Sequence, residues 1–487
     1  MSTGVALDIE IAPDSRILPP RDRRATTEAI AKVYGECARL AEEQRDEDVI
    51  AAADTLSLFV SSAHAANTQL HAIRMWKVNA LANLGRGREA LELLNWIERF
   101  NGVSFKTRER KAKLLAYAGD AVGCIHACTD AIMALPLDKK TSREFRQLCL
   151  LRADAMIANG QHDDALRLLT DALRGLVPNY DEMLTLRRAV KTPEALEQMF
   201  LFLAPHFSYA GHRARHALLH YSVACRDLGL LDRAIFAARQ RFLIGLQIVR
   251  YGEREQQIKE DWTRQALTSM LDLRADLGSL GLEFFLISGT LLGCVREGGI
   301  LSYDKDIDVG VLTELPAETI RQTLASSGRF KVRALTTDRL VQVEHANGVV
   351  IDVFLHWREN GVIYHEGQKT RWWNSDFELK DVEFLGGSFK IPSNPDQYLI
   401  ENYGDSWSIP QPEFETFVDT PNMIIQDNDH MVWYFYTRLH DYYFAGKRTQ
   451  LFKVWNALQE LIGQDAAVSN AMERIKLDSA PAPMLSR

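Results

Sequence analysis

Ser288-Gly289-Thr290-Leu291-Leu292-Gly293, then Arg296-Glu297-Gly298, then Tyr303-Asp304-Lys305-Asp306-Ile307-Asp308-Val309-Gly310: these three runs decide how this chain of 487 residues is read. They follow the β-rich run Phe284-Phe285-Leu286-Ile287, so a strand feeds a glycine-containing turn and a short helix before the acidic segment begins. The acidic segment alternates. Asp306 and Asp308 point to one face of a strand, and Ile307, Val309 and Val311 to the other. Two carboxylates on one side of a strand attract a divalent cation. Further on, Val349-Val350-Ile351-Asp352-Val353-Phe354-Leu355 reads as a buried strand holding one acid. A lone carboxylate among apolar neighbours is costly unless paired or coordinated, so Asp352 is expected to face the other two.

Three acids on adjacent strands beside a Gly-Thr turn that opens a helix form the active-site plan of the nucleotidyltransferase fold. The ordered set Ser-Gly-Thr, Arg-Glu-Gly, Asp-x-Asp-Ile-Asp and Ile-Asp-Val-Phe resembles the LicD/fukutin family of phosphotransferases. A distal element adds to the likeness: Ile391-Pro392, Pro395, Tyr398-Leu399 and Tyr403-Gly404-Asp405-Ser406-Trp407 with Pro410, so the resemblance spans about 275–420. It implies transfer of an alcohol phosphate from a CDP-alcohol donor, of the CDP-choline or CDP-ribitol kind, to a glycan or polyol hydroxyl, with release of cytidine monophosphate. It also implies Mg²⁺ or Mn²⁺ held by Asp306, Asp308 and Asp352, with Asp352 as a shared ligand or as the base that takes the acceptor proton. The backbone N–H groups of Ser288, Gly289 and Thr290 would receive phosphate oxygens, and Arg296 a phosphate or a structural carboxylate. Lys305 stands where many members carry a further acid; it either trims the charge of the site and reaches a donor phosphate, or simply faces solvent.

Trp357, Trp372, Trp373, Tyr403 and Trp407 could pack a cytosine ring or a quaternary ammonium, or could be core. Tyr403 and Trp407 gain weight from their place in the distal element. His356 reads equally as a strand-end packer or a site residue. The aromatic-rich helical stretch Asp429 to Gly463 is expected to pack on the catalytic sheet.

The first half repeats itself. Gly85, Gly119, Gly160 and Gly229 are each followed five residues on by a small residue, Ala90, Cys124, Ala165 and Ala234. Each is preceded by seven residues by Val78, Ala112, Ala153 or Ser222, and followed by twelve by Ile97, Ala131, Ala172 or Arg241, of which only the last departs. Glycine for a turn, with small side chains where two helices touch, is what a helix-turn-helix unit needs. Residues 65–250 resemble the tetratricopeptide repeat, with a degenerate unit around the helix that Thr192-Pro193-Glu194 would open and a further helix pair in 25–64. Such a solenoid presents a concave surface that either binds a partner protein, a glycan or a second copy of the chain, or only supports the next domain.

Length bounds the rest: at roughly 100–200 residues per domain the chain holds two or three. Lys+Arg 57 against Asp+Glu 65 leaves a net charge of −8, so no positive field invites nucleic acid or an anionic membrane face. No run approaches the ~20 apolar residues of a membrane helix and no secretory leader is evident, which implies a cytoplasmic protein, at most peripheral to the inner face of the membrane. Six cysteines without a C-x-x-C pair read as reduced and packed; Cys124, His126 and Cys128 read as helix packing rather than a metal site. The expectation is therefore a multidomain chain: a disordered segment at 1–24, an all-α tetratricopeptide-like solenoid at 25–252, an α+β nucleotidyltransferase-fold domain at 253–475 and a flexible tail at 476–487. Two rival readings stand beside it: a nucleotidyltransferase that moves the nucleoside monophosphate itself, and a non-catalytic repeat scaffold.

Overall fold

The computed structural model describes residues 23–57, 67–207, 212–247, 262–301, 304 and 306–477. Lys305, residues 253–261 and nearly all of the two end segments lie outside the described residues.

The first half is all helix. Its elements are α1 (Arg23–Glu42), α2 (Asp46–Ser57), α3 (Thr68–Asn83), α4 (Gly87–Asn101), α5 (Phe105–Tyr117), α6 (Ala121–Met133), α7 (Arg143–Ala158), α8 (His162–Ala172), α9 (Tyr180–Ala189), α10 (Pro193–Phe207), α11 (His212–Asp227) and α12 (Leu231–Gly245). Neighbours in sequence pack on each other, α3 on α4, α5 on α6, α7 on α8 and α11 on α12. The four repeated glycines end α3, α5, α7 and α11, each at a φ between +72° and +77° that only glycine adopts freely. The small residues flanking them, Val78, Ala112, Ala153 and Ser222 before and Ala90, Cys124, Ala165 and Ala234 after, are all buried, which lets paired helices approach closely. As read from the sequence, Thr192 caps α10, its hydroxyl accepting from Ala195 N–H at 3.2 Å. The departure at Arg241 has a cause: its guanidinium meets Asp441 of a carboxy-terminal helix at 2.9 Å. Cys124 and Cys128 are buried among α5, α6 and α7, and all six cysteines are free.

The second half is a mixed sheet with helices. In order come α13 (Trp262–Gly278), β1 (Phe284–Leu286), α14 (Ser288–Glu297), β2 (Asp306–Leu312), α15 (Ala317–Ser326), β3 (Phe330–Thr336), β4 (Leu340–His345), β5 (Val350–Glu359), β6 (Val362–Glu366), β7 (Thr370–Ser375), β8 (Leu379–Phe384), β9 (Gly387–Pro392), α16 (Pro395–Tyr403), α17 (Thr416–Asp419), β10 (Met423–Ile425), α18 (Asn428–Ala445), α19 (Arg448–Ile462) and α20 (Ala466–Leu477). The main strand order is β10-β7-β6-β5-β2-β1-β9-β8, with β4 also paired to β5, and β3 to β4. β2 and β5 run parallel at its centre. Ile307, Val309 and Val311 of β2 and Ile351, Val353 and Leu355 of β5 are fully buried, in one core with Met270 and Leu273 of α13 and Ile320 and Leu324 of α15. That burial fixes the register, because a slip of one residue would turn all six apolar side chains away from those helices.

The two halves touch at separate places. A Cβ on Gly85 would stand 2.8 Å from Arg329 Cγ, and one on Gly119 only 2.9 Å from the Ala325 carbonyl oxygen, so two repeat turns abut the α15–β3 segment. Lys331 of β3 also pairs with Asp154 of α7 at 3.4 Å. The second contact corrects an expectation. The helices beyond Asp429 pack mainly on the helical half and reach the sheet at its β10 edge, where Ile425 joins their cluster; α18 packs on α12, and Met431, Phe435, Leu439, Val454 and Leu458 share one apolar cluster with Leu186, Met199, Ala238 and Phe242. Polar contacts fix the docking: Trp433 Nε1 donates to Ser222 Oγ at 2.6 Å, and Arg239 meets Asp465 at 2.7 Å. The alternation of aromatic residues along α18 showed that it was amphipathic, but an apolar stripe carries no record of which surface covers it.

Candidate active site

The turn after β1 begins with Ser288 in the left-handed region, at φ +47°, a costly conformation for a residue with a side chain. It opens α14 with no side-chain cap at Ile287 and no acid in the first turn. The free amides are answered by the next strand: the Asp308 carboxylate accepts from the backbone N–H of Gly289. In return Thr290 Oγ1 accepts from the Asp308 N–H at 2.8 Å. A Cβ at Gly289 would lie 2.7 Å from Asp304 Oδ2, so a larger residue there would displace that carboxylate. Turn and acidic strand are thus locked together. In this state the Gly289 amide serves a carboxylate of the chain rather than awaiting an anion.

The parallel register sets Asp308 beside Asp352, on the same face of the sheet. Asp306 lies two residues along β2, on that face too. Gln342 of β4 is the antiparallel partner of Asp352 and donates to its Oδ1 at 2.7 Å. Burial, followed by the nearby charges of Asp306, Asp352 and Asp304, pushes the Asp308 carboxyl well above the ordinary carboxylate range. Burial raises Asp352 to about 6, against the opposing hydrogen bond from Gln342. Clustered acids of raised affinity for protons are acids short of positive charge. Among the described residues, however, no three His, Cys, Asp or Glu side chains converge into a ready-made metal cage. The donor set is all oxygen, which suits Mg²⁺ or Mn²⁺, and Mg²⁺ is usually held by only one or two carboxylates together with water and substrate phosphates. In that sense the residues fit the ion.

A cavity of about 680 Å³ opens beside these acids. Ser288, Gly289, Arg296, Asp304 and Asp308 are among the residues that line it. Arg296 lines the cavity and pairs with Glu297 at 2.9 Å. Tyr403 and Trp407 also line it. Among the residues singled out from sequence, Thr290, Asp306 and Asp352 do not line the cavity; Thr290 is buried, and Asp306 and Asp352 share the sheet face of Asp308. Of the aromatic candidates, Trp372 lines the cavity, whereas Trp357 and Trp373 do not; Trp357 stacks on Tyr364 at 5.8 Å and lies under Arg339 at 4.5 Å. His356 is fully buried and faces no cavity.

Sequence reading missed Phe354, His365 and Phe417, and Tyr442, Lys447 and Gln450, contributed by α18, α19 and their junction. Phe354 could have been found, since it shares the face of Asp352 by alternation. The α18–α19 residues left no local signal. They reach the cavity because the segment 411–420 is tied to those helices: Gln450 Nε2 donates to Pro412 O at 2.9 Å, Lys453 Nζ to Asp419 Oδ2 at 2.6 Å, and Tyr442 to Glu415.

The fold and cleft together define a mixed-sheet domain with carboxylates at the end of a central parallel strand pair, beside a helix-opening turn. Residues 281–394 match the family model described as the LicD/FKTN/FKRP nucleotidyltransferase domain. Over these residues the chain is similar to the nucleotidyltransferase domain of the LicD/fukutin family. The match ends before Tyr403 and Trp407. Among curated proteins the chain is similar to the ribitol-5-phosphate transferase FKTN of Mus musculus, 28% identical over 170 residues, and to its counterparts in Homo sapiens and Macaca fascicularis, each 26% identical. Each alignment covers 33% of this chain and 37% of the relative, so the chain spans little more than a third of the length of the curated relatives it matches. Among the described residues no helix is long and apolar enough to cross a membrane.

Proposed function

We propose that the protein is a metal-dependent phosphotransferase that moves an alcohol phosphate from a CDP-linked donor to a hydroxyl of a glycan or polyol, in the synthesis or modification of a surface polysaccharide. The observation that carries this reading is the in-register pair Asp308 and Asp352 on one face of parallel strands, with the Ser288–Thr290 turn and a cavity large enough for a nucleotide beside it. The names of the FKTN relatives agree with it. Asp306, Asp308 and Asp352 would hold Mg²⁺ or Mn²⁺, which when bound supplies neutralisation of the diphosphate. In the transfer, the acceptor hydroxyl oxygen bonds to the phosphorus of the alcohol phosphate. The bond from that phosphorus to the bridging oxygen breaks, cytidine monophosphate leaves with that oxygen, and the hydroxyl proton passes to a carboxylate or to solvent. The chain's own contribution is to position: Arg296 and the turn at the phosphates, and Trp372, Tyr403 and Trp407 at the organic parts.

The helical half fits a stack of tetratricopeptide-like pairs. What supports this is the identical turn geometry at Gly85, Gly119, Gly160 and Gly229 and the burial of small residues at matching positions. We place the division near 253, with α18–α20 returning to the helical half. The test is release of cytidine monophosphate from a panel of CDP-alcohols by the purified chain with Mg²⁺ or Mn²⁺, with mass spectrometry of the acceptor. An added alcohol phosphate supports the reading; an added nucleotide, or no transfer from any donor, removes it.

A further inference from the structure

Asp352 is held by a neutral neighbour. Gln342 of β4 stands opposite it in the antiparallel pair and Asp308 of β2 opposite it in the parallel one, so the three side chains form one row across a face of the sheet. Gln342 Nε2 donates to Asp352 Oδ1 at 2.7 Å, at the short end for an N–H···O contact, as an ionised acceptor makes it. Among the described residues this is the one hydrogen bond to the Asp352 carboxylate, and Oδ2 receives none. Asp352 is 9 % exposed, so the carboxylate is not sealed off. The last torsion of an aspartate is broad unless something holds it, and here one amide does.

The chemical character of that donor decides what Asp352 can do next. A lysine or arginine at 342 would also hold the carboxylate, but its charge would offset that of Asp352 and oppose a further cation. An amide orients without neutralising. Arg333 of β3 acts on Asp352 through its charge and donates no hydrogen bond to it; its guanidinium stands 4.0 Å from Glu344, two residues along β4 from Gln342. Groups that hydrogen-bond a metal ligand set its orientation, and their loss typically costs 10–100-fold in metal affinity. We infer that Gln342 is a positioning residue: its neutral amide fixes Asp352 through Oδ1 and leaves Oδ2 and the negative charge for the divalent cation. This role rests on the metal-dependent reading above and adds to it the residue that prepares one of the ligands.

The experiment measures Mn²⁺ binding to the full chain by electron paramagnetic resonance without any donor present, beside the melting temperature of the metal-free chain and cytidine monophosphate release by the wild type. Gln342→Met keeps length and donates nothing; Gln342→Lys keeps a donor and adds a charge. Gln342→Met should weaken Mn²⁺ binding by about 10–100-fold. Gln342→Lys should weaken it at least as much, while its metal-free chain melts no lower than the wild type. A purely structural role predicts the reverse: Gln342→Met lowers the melting temperature and the folded protein binds Mn²⁺ as before. That result, or wild-type Mn²⁺ binding by Gln342→Lys, overturns the inference; if the wild type releases cytidine monophosphate, the phosphotransferase reading stands. A wild type that binds no Mn²⁺ overturns the inference whatever its activity, and one that also releases no cytidine monophosphate takes that reading with it. Should Gln342→Met not fold, Gln342→Thr, too short to reach Asp352, gives the same comparison.

Discussion

Gly119 and Gly160 occupy the same place in two repeats, with φ of +72° and +77°, yet only one touches the sheet half of the molecule. Alanine at either must adopt a left-handed backbone, at a cost of about 1–2 kcal/mol. At Gly160 nothing lies within 4 Å of the added Cβ, so the cost ends there. At Gly119 the Cβ would sit 2.9 Å from the Ala325 carbonyl oxygen, closer than such atoms approach. The obstacle is backbone at the end of α15, not a side chain that can swing aside, so an overpacking cost of about 1–3 kcal/mol adds to the first. Gly119→Ala should therefore be destabilised by roughly 2–5 kcal/mol and Gly160→Ala by roughly 1–2. Calorimetric unfolding of the full chain gives the comparison, and limited proteolysis should cut Gly119→Ala between the helical and sheet halves sooner than the wild type. Equal melting shifts, with unchanged proteolysis, would refute the claim that this turn bears on the sheet domain.

Asp308→Asn and Asp352→Asn should each lower cytidine monophosphate release by about 10³-fold or more without loss of fold, and chelation of the wild type should do the same reversibly; activity that persists in EDTA would contradict the metal assignment. Burial lowers Lys369 to about 7 even though its ammonium lies 3.8 Å from the Phe417 ring and 4.0 Å from that of Tyr434. A lysine whose folded pKa lies below its unfolded value near 10.4 destabilises the fold fully below pH 7, and the penalty fades as pH rises towards 10. Lys369→Met should accordingly raise the melting temperature at pH 6 and change it little at pH 10; a gain independent of pH would count against it. Arg241→Met removes one partner of the part-exposed Asp441 carboxylate, which His440 and Arg438 also face, and should cost about 1–3 kcal/mol, of which Arg241→Met with Asp441→Leu should recover a large part. Additive losses in that double-mutant cycle would show that the two residues do not interact.

If α18–α20 are held by the helical half, then so is one wall of the cavity. Tyr442, Lys447 and Gln450 come from helices whose apolar faces are covered by α11 and α12, and the segment 411–420 hangs on them by hydrogen bonds. The matched family domain at 281–394 supplies the acids and the turn, but not the wall formed by Tyr442, Lys447 and Gln450.

What the sequence determined by itself was local and periodic. Alternation in Asp306–Val311 placed the carboxylates on one face and the aliphatics on the other, because a strand repeats every two residues. Glycines at fixed distances from small residues marked the helical turns, because only glycine reaches that backbone region without strain and only small side chains let helices close up. Tertiary structure alone decided the rest. The pairing of β2 with β5 set Asp352 beside Asp308, the turn of Gly119 but not that of Gly160 met a neighbour, and α18 packed mainly on the helical half. An apolar stripe or a turn specifies that it must be covered or bent, but the covering partner is chosen by shape across residues hundreds of positions apart. Such long-range complementarity leaves no period in the chain to read.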